Sequence, residues 1–241
     1  MQMVILAGGL ATRLNELTAN TPKSMIMVSG KPFMEHQILL LKENGIKEFV
    51  FCIGHMGEII RSHFGNGEKF GVSIHYSCDG DKLLGTGGAI KKAERLLSDQ
   101  LFVIYGDSFL AVPFDKVLKK LVDSSKRGLM TVYKNDNLYD RSNVAIKNGE
   151  VVNYDKTNHT EEMKWIDAGI NLFEKSILSD VPKNTIYPLE KLIVKLIEDK
   201  QLIAWECNER FYEIGSLGGL KEFREKIGRE STGRSKVQQL V

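Results

Sequence analysis

"VILAGGLATRL", residues 4–14, decides how the chain is read. Its opening aliphatic run does not alternate with polar residues, the mark of a strand buried on both faces within a helix-covered parallel sheet. Gly8 and Gly9 follow at once, and bare backbone there can turn sharply and bring its N–H groups close to a ligand, as phosphate-cradling loops do. Arg13 adds a planar fork suited to phosphate oxygens, and Lys23, after Thr21 and Pro22, offers a second cation. The same letters also fit a plain strand-to-helix turn with a surface arginine. Two common phosphate loops are excluded: no GK[ST] follows Gly8 or Gly9, and "GGLATR" lacks the third glycine of G-x-G-x-x-G.

Outward from this stretch, apolar β-branched runs at residues 3–6, 49–53, 72–76 and 101–105 predict strands, with helical patterns between them. Residues 32–44 place Phe33, Ile38 and Leu41 near helical spacing and stop at Gly45, a C-cap signal, and residues 87–97 and 113–122 are similar. This rhythm predicts an α/β fold with a mainly parallel sheet covered on both faces, whose ligands gather at the carboxyl ends of the strands. After about residue 128 the pieces shorten and become α+β in character. "KNG" at 147–149 predicts a hairpin, and helices return at 188–199 and 217–227. No linker separates the halves. We expect one domain over residues 1–228, built of halves 1–127 and 128–228, and a frayed or self-contacting polar tail at 229–241.

A formal net charge of +2, from 33 Lys and Arg against 31 Asp and Glu, is too balanced for a nucleic-acid or membrane-surface binder acting through bulk charge. Three cysteines without CxxC spacing suggest neither a disulfide frame nor a zinc site, and a reducing cytoplasm fits them. There is no export signal and no apolar run of the roughly 18 residues a membrane span requires. The five histidines form no ligand cluster, and Trp165 and Trp205 suit packing better than stacking.

Carboxylates supply the other chemistry. In "VIYGDS" a buried strand runs into glycine and leaves Asp107 at the carboxyl edge of the sheet, where a hard oxygen ligand could hold Mg²⁺ against phosphates; a turn or helix N-cap fits the fragment equally. Glu213 in "FYEIG" repeats the context. "LLGTGGAI" is a second glycine loop leading into a helix, readable as a close helix–sheet contact. It also permits a weaker dinucleotide reading with Asp107 on the ribose, although "CDGDK" intervenes between strand and loop.

Taken together, "LAGGLATRL" followed by "PKSM", then "LGTGGAI", "VIYGDS", "YDK", "DAGINLF" and "YEIGS", in order across nearly the whole chain, resemble the nucleotidyltransferases that activate sugar 1-phosphates. The short length and the "LGTGGAI" form look most like heptose or mannose 1-phosphate guanylyltransferases. The resemblance implies a GT-A-like, Rossmann-like nucleotidyltransferase fold, with residues 1–127 mainly nucleotide-binding and 128–228 mainly sugar-phosphate-binding, NTP and sugar 1-phosphate as substrates and Mg²⁺ as cofactor. It implies nucleotide contacts from Leu6, Ala7, Gly8, Gly9, Arg13, Lys23, Gly85, Thr86, Gly87 and Gly88, and catalytic roles for Arg13, Lys23 and Asp107. Asp107 and Glu213 would hold the metal, and Lys156, Asp167, Gly169 and Asn171 the sugar phosphate. Read without the family, Lys156 is a solvated surface lysine. Ala11, Ser24 and Glu213 depart from the usual glycine, proline and aspartate. GTP and a manno-configured sugar are favoured on the resemblance, with a cytidylyl- or uridylyltransferase as the alternative and a possible homodimer. An NAD-dependent oxidoreductase and a non-catalytic nucleotide-sugar binder are the rival classes.

Overall fold

A computed structural model of the chain describes residues 1–9, 18–80 and 82–238. The first half carries strands β1 (Gln2–Ala7), β2 (Met27–Val28), β3 (Lys31–Pro32), β4 (Glu48–Ile53), β5 (Ser73–Cys78), β6 (Gln100–Tyr105) and β7 (Ser108–Phe109). Among these lie helices α1 (Phe33–Glu43), α2 (Gly57–Phe64) and α3 (Gly85–Lys92), and α4 (Phe114–Ser124) follows. The second half adds β8 (Gly128–Lys134), β9 (Val144–Lys147), β10 (Glu150–Tyr154), β11 (Trp165–Glu174), β12 (Leu202–Cys207) and β13 (Tyr212–Glu213), with helices α5 (Leu189–Glu198) and α6 (Leu217–Gln238).

Nine strands form one sheet in the order β5-β4-β1-β6-β11-β8-β12-β10-β9. β5, β4, β1 and β6 are parallel; β1, β4 and β6 carry the unbroken apolar runs, whereas the edge strand β5 interleaves exposed with buried residues. β11 departs from that expectation, since it runs antiparallel to both β6 and β8 and joins the two halves into a single sheet. The chain moves outward from β1 to β4 and β5 and then returns to β6 on the opposite side of β1. Loops leaving β1 and β6 therefore diverge, and the crevice between them is the place where open α/β sheets bind ligands.

Both faces of the sheet are buried. Met3, Ile5, Phe49, Phe51, Phe102 and Ile104 pack with Met34, Ile38 and Leu41 of α1, Ile60 and Phe64 of α2, and Phe114, Val117 and Leu121 of α4. On the other face Val4, Val50, Val103 and Val132 meet Ala89 and Ile90 of α3 and Leu189, Leu192, Ile193 and Leu196 of α5. The i, i+3, i+7 spacing of 114, 117 and 121 supplies the apolar stripe that makes α4 a surface helix with one buried side. A third cluster joins Leu220, Phe223 and Ile227 of α6 to Phe33, Phe109 and Ile214, which fixes β7 and β13 together at the edge of the crevice.

The hairpin at Asn148 and Gly149 forms, with φ of +54° and +78°, as a type I′ turn requires. The last helix is longer than the 217–227 expected, because α6 continues to Gln238. Residues 229–238 have no apolar stripe to betray a helix, yet Arg, Glu, Lys and Gln all favour one.

Candidate active site

The crevice at the carboxyl ends of β1 and β6 is lined by Leu6, Ala7, Gly8, Gly9, Lys23 and Ser24 on one side and by Tyr105, Gly106 and Asp107 on another. Its remaining wall is built from Cys52, Asp79, Leu83, Gly85, Thr86 and Ala89. Arg13 and Ala11 lie outside the described residues.

The glycines divide into two kinds. A Cβ on Gly8 would lie 3.2 Å from the Gly54 amide nitrogen, and one on Gly54 2.9 Å from the Gly8 carbonyl oxygen, so these two are bare because two loops touch. Gly106 likewise lies against β1, where its N–H donates to the Leu6 carbonyl at 2.9 Å. Among the described residues nothing stands within 4 Å of a Cβ on Gly9, which lines the crevice. In the second loop, Gly85 has φ +70° and lines the crevice together with Thr86, while Gly87 and Gly88 are packed behind it against residues 185–188. A Cβ on Gly88 would come within 2.6 Å of the Thr185 carbonyl oxygen, so there the helix-contact reading holds.

Lys23 and Asp107 meet across the opening, with Nζ 2.8 Å from Oδ2. Both are partly solvated, at 20% and 27% side-chain exposure, so the pair contributes little to stability while holding two charges in place. Asp107 is positioned from below, since the Gln37 side-chain amide of α1 donates to the carbonyls of Tyr105 and Ser108 on either side of its turn. From the far side, β13 pairs with β7 so that Glu213 lies opposite Ser108, and the Ile214 N–H donates to the Asp107 carbonyl at 2.9 Å. Two carboxylates from distant parts of the chain thus become neighbours.

Surrounding protein and then the charges of Asp107 and Asp167 push the Glu213 carboxyl up to about 7, against the pull of Lys156 and Lys23. Its own surface is open to solvent, so water blunts the desolvation and the two like charges set the direction. Two neighbouring carboxylates whose repulsion Lys23 and Lys156 partly offset form a site that a divalent cation would relieve, and together with substrate phosphates they match the way proteins hold Mg²⁺.

Lys156 reaches the same region from the end of β10. Its ammonium lies 5.3 Å from the ring centre of Tyr105 and 5.8 Å from that of Tyr154, and 3.2 Å from Oε1 of Glu190 in the first turn of α5. Asp167 is buried, taking the Gly169 N–H at 2.9 Å and the Tyr154 hydroxyl at 3.2 Å. Burial pushes its carboxyl up, and Lys156 opposes the rise. Gly169, at φ +94°, sits in the irregularity of β11, and Asp167 and Asn171 on either side of it pair with Val132 and Met130 of β8. Asn171 is fully buried, and neither its amide nitrogen nor its oxygen has a partner among the described residues. An unpaired buried amide costs about 1–3 kcal/mol, a cost typical of ligand contacts.

Four residues here escaped the sequence reading: Tyr105, Tyr154, Glu190 and Gln37. The two tyrosines sit inside the motifs "VIYGDS" and "YDK", whereas nothing local marks Gln37 or Glu190, which arrive through packing. Ser24 lines the crevice with its buried hydroxyl unpartnered among the described residues, at the position where the family motif has proline.

The family model described as "Nucleotidyl transferase" matches residues 2–201. The chain belongs to the nucleotidyl transferase family. D-glycero-alpha-D-manno-heptose 1-phosphate guanylyltransferase of Campylobacter jejuni is 32% identical over 217 residues, covering 89% of this chain and 95% of that protein. Among solved structures, a putative glucose-1-phosphate thymidylyltransferase from Bacillus anthracis superposes with a TM-score of 0.81 at 21% identity, covering 93% of this chain and 94% of the other. HddC from Yersinia pseudotuberculosis complexed with GMP-PN superposes at 0.79 with 23% identity, covering 94% and 99%. This nucleotidyltransferase is thus an enzyme of the sugar-phosphate-activating kind, and the oxidoreductase reading of the second glycine loop is set aside. Among its described residues no helix is long and apolar enough to cross a membrane.

Proposed function

We propose that the protein transfers the guanylyl group of GTP to a manno-configured sugar 1-phosphate, of heptose or mannose type, releasing pyrophosphate. A phosphate oxygen of the sugar 1-phosphate attacks the α-phosphorus in line; the new P–O bond forms as the bond to the β-phosphate oxygen breaks and pyrophosphate leaves. The nucleophile is already anionic, so positioning and charge neutralisation carry the reaction, with no general base.

The observation that carries this reading is that Lys23 and Asp107 pair in the crevice at the carboxyl ends of β1 and β6, with Glu213 opposite Ser108 and Lys156 over the Tyr105 ring beside them. Gly9 and the loop after β1 would admit the triphosphate, with Arg13 meeting its charge. Lys23 and Lys156 would hold the attacking phosphate, Lys156 exchanging its Glu190 partner for it. Asp167, with Asn171 and the Gly169 backbone, would receive sugar hydroxyls. Asp107 and Glu213 would hold Mg²⁺, whose charge offsets that of the phosphates. Guanine and the manno configuration rest on the relatives: guanylyltransferases recur among them, beside a uridylyltransferase from Synechocystis, a protein of which this chain covers 62%.

Pyrophosphate release measured for four NTPs against heptose, mannose and glucose 1-phosphates, with Mg²⁺ and with chelator, tests the proposal. GTP with a manno-configured phosphate should be the best pair and chelator should abolish release. A better rate with UTP or CTP would overturn the guanylyl reading, and no release with any pair would overturn transfer itself.

A further inference from the structure

In the irregular stretch of β11 a side chain does the pairing that a neighbouring strand's backbone does elsewhere. Asp167 pairs with Val132 and Asn171 with Met130, so residues 168–170 stand opposite Thr131 alone. Thr131 is fully buried, and its hydroxyl serves both main-chain groups of Ile170: it donates to the carbonyl at 2.7 Å and accepts the N–H at 3.2 Å. One proton and two lone pairs allow this, with the second lone pair left for the Cys207 thiol that lies against the same oxygen. With Ile170 held, the chain turns at Gly169, where a Cβ would stand 3.1 Å from Ser108 Oγ, next to Asp107. The turn sends the Gly169 N–H to Oδ1 of Asp167, while the Tyr154 hydroxyl donates to Oδ2, so both oxygens of that buried carboxylate are fixed. Bulges beside functional sites re-aim side chains in this way.

We infer that Thr131 is a positioning residue of the acceptor side: its hydroxyl holds the β11 bulge in the shape that aims Asp167 at the sugar 1-phosphate. The inference rests on the nucleotidyl-transfer reading, which sets the sugar against Asp167, and adds to it the residue that keeps that carboxylate in place. Valine has nearly the outline of threonine without the hydroxyl, so Thr131→Val leaves the Ile170 N–H and carbonyl buried with no partner on the β8 side. The bulge can relieve that loss only by shifting, and Gly169 and Asp167 shift with it. The nucleotide side is remote from the change, since β11 and β6 stand between β8 and β1 and Thr131 lies outside the lining of the crevice. Loss of the hydroxyl therefore acts on the acceptor and spares the triphosphate.

Steady-state turnover and calorimetric titration of the full chain test this, with whichever of heptose, mannose and glucose 1-phosphate the parent takes best. In Thr131→Val the KM for the sugar 1-phosphate should rise roughly tenfold to a hundredfold and the calorimetric affinity should fall alike, the worth of a hydrogen bond to a charged group, while the KM for GTP stays within about threefold. Thr131→Ser keeps the hydroxyl and should stay within about threefold of the parent in both. In an Asp167→Ala background Thr131→Val should cost the acceptor nothing further, because no carboxylate is left to aim. An unmoved acceptor KM in Thr131→Val, equal rises in both KM values, failure of serine to restore the parent, or additive losses with Asp167→Ala would each overturn the inference. Amide hydrogen exchange in the parent needs no variant to fold: the sugar 1-phosphate should slow exchange at Gly169 and Ile170, and no slowing there would also overturn it. The expected pattern of sugar 1-phosphate binding in a chain that releases no pyrophosphate would uphold Thr131 and overturn the transferase reading instead.

Discussion

Replacing Asp107 by asparagine separates a structural role from a chemical one. The change keeps the shape of the side chain and removes its charge, so Lys23 loses its partner at 2.8 Å. Both groups are partly open to solvent, and for such pairs the contribution to stability is about 0.2–1 kcal/mol. In a domain of this size 1 kcal/mol moves the melting temperature by roughly 2–4 °C, so the variant should melt within about 4 °C of the parent. Its turnover should suffer far more. Losing a group that stabilises charge developing in the transition state costs about 2.7–4 kcal/mol, or roughly 10²–10³ in rate. Thermal melting and pyrophosphate release at saturating GTP and sugar phosphate, across a Mg²⁺ series, read the two effects separately. Turnover within about threefold of the parent, worth only about 0.6 kcal/mol, would refute the role of Asp107. A melting point lowered by more than about 8 °C would show that the residue holds the fold rather than the substrate.

Gly88→Ala should destabilise the chain by about 1–3 kcal/mol, read by chemical denaturation, because its Cβ would stand 2.6 Å from the Thr185 carbonyl oxygen with no flexible side chain to yield. Lys156→Met should raise KM for the sugar phosphate by roughly tenfold to a hundredfold, the worth of a charge-assisted hydrogen bond, while KM for the nucleotide changes little; equal shifts in both would contradict its placement on the acceptor side. Glu213, raised from an ordinary 4.5 to about 7, keeps its proton in the folded chain after the unfolded chain has lost it. Its contribution to stability is therefore present below 4.5 and is lost as pH climbs through about 7. Denaturant midpoints in metal-free buffer should show this decline over that window, and Glu213→Gln should flatten it; an equal slope in both proteins would remove the basis for the coupled carboxylates.

Much of the nucleotide-side half was legible because its signals are local. β1, β4 and β6 are near-continuous apolar runs, α4 shows its stripe at 114, 117 and 121, and the Asn148–Gly149 turn announces itself in two letters. β11 was hidden for a physical reason: "WIDAGINLFE" is buried along nearly its whole length, and a strand buried on both faces looks the same whether its neighbours run with it or against it. The glycines show a related limit. Gly8 and Gly88 are bare because backbone from elsewhere presses on them, at Gly54 and Thr185, whereas among the described residues nothing presses on Gly9. Sequence shows that a side chain is missing and is silent on what fills the room.

The candidate site divides along the same line. Lys23, Asp107, Lys156, Asp167 and Glu213 could be picked out by residue type and motif, but their meeting depends on contacts between distant segments. Asp107 and Glu213 are brought together by the two-residue pairing of β7 with β13, too short for any strand signal, and α6 holds that pairing by packing Phe223 against Phe33 and Phe109. Gln37 works in the same way from α1, on the opposite side of the Asp107 turn. Removing the Phe223 ring should therefore loosen the carboxylate pair without touching it. Phe→Ala in a core costs about 3–5 kcal/mol, so Phe223→Leu is the sharper test. The leucine should keep the fold while weakening Mg²⁺ dependence more than nucleotide binding, and the reverse order of effects would mean that β13 is held in place by something other than α6.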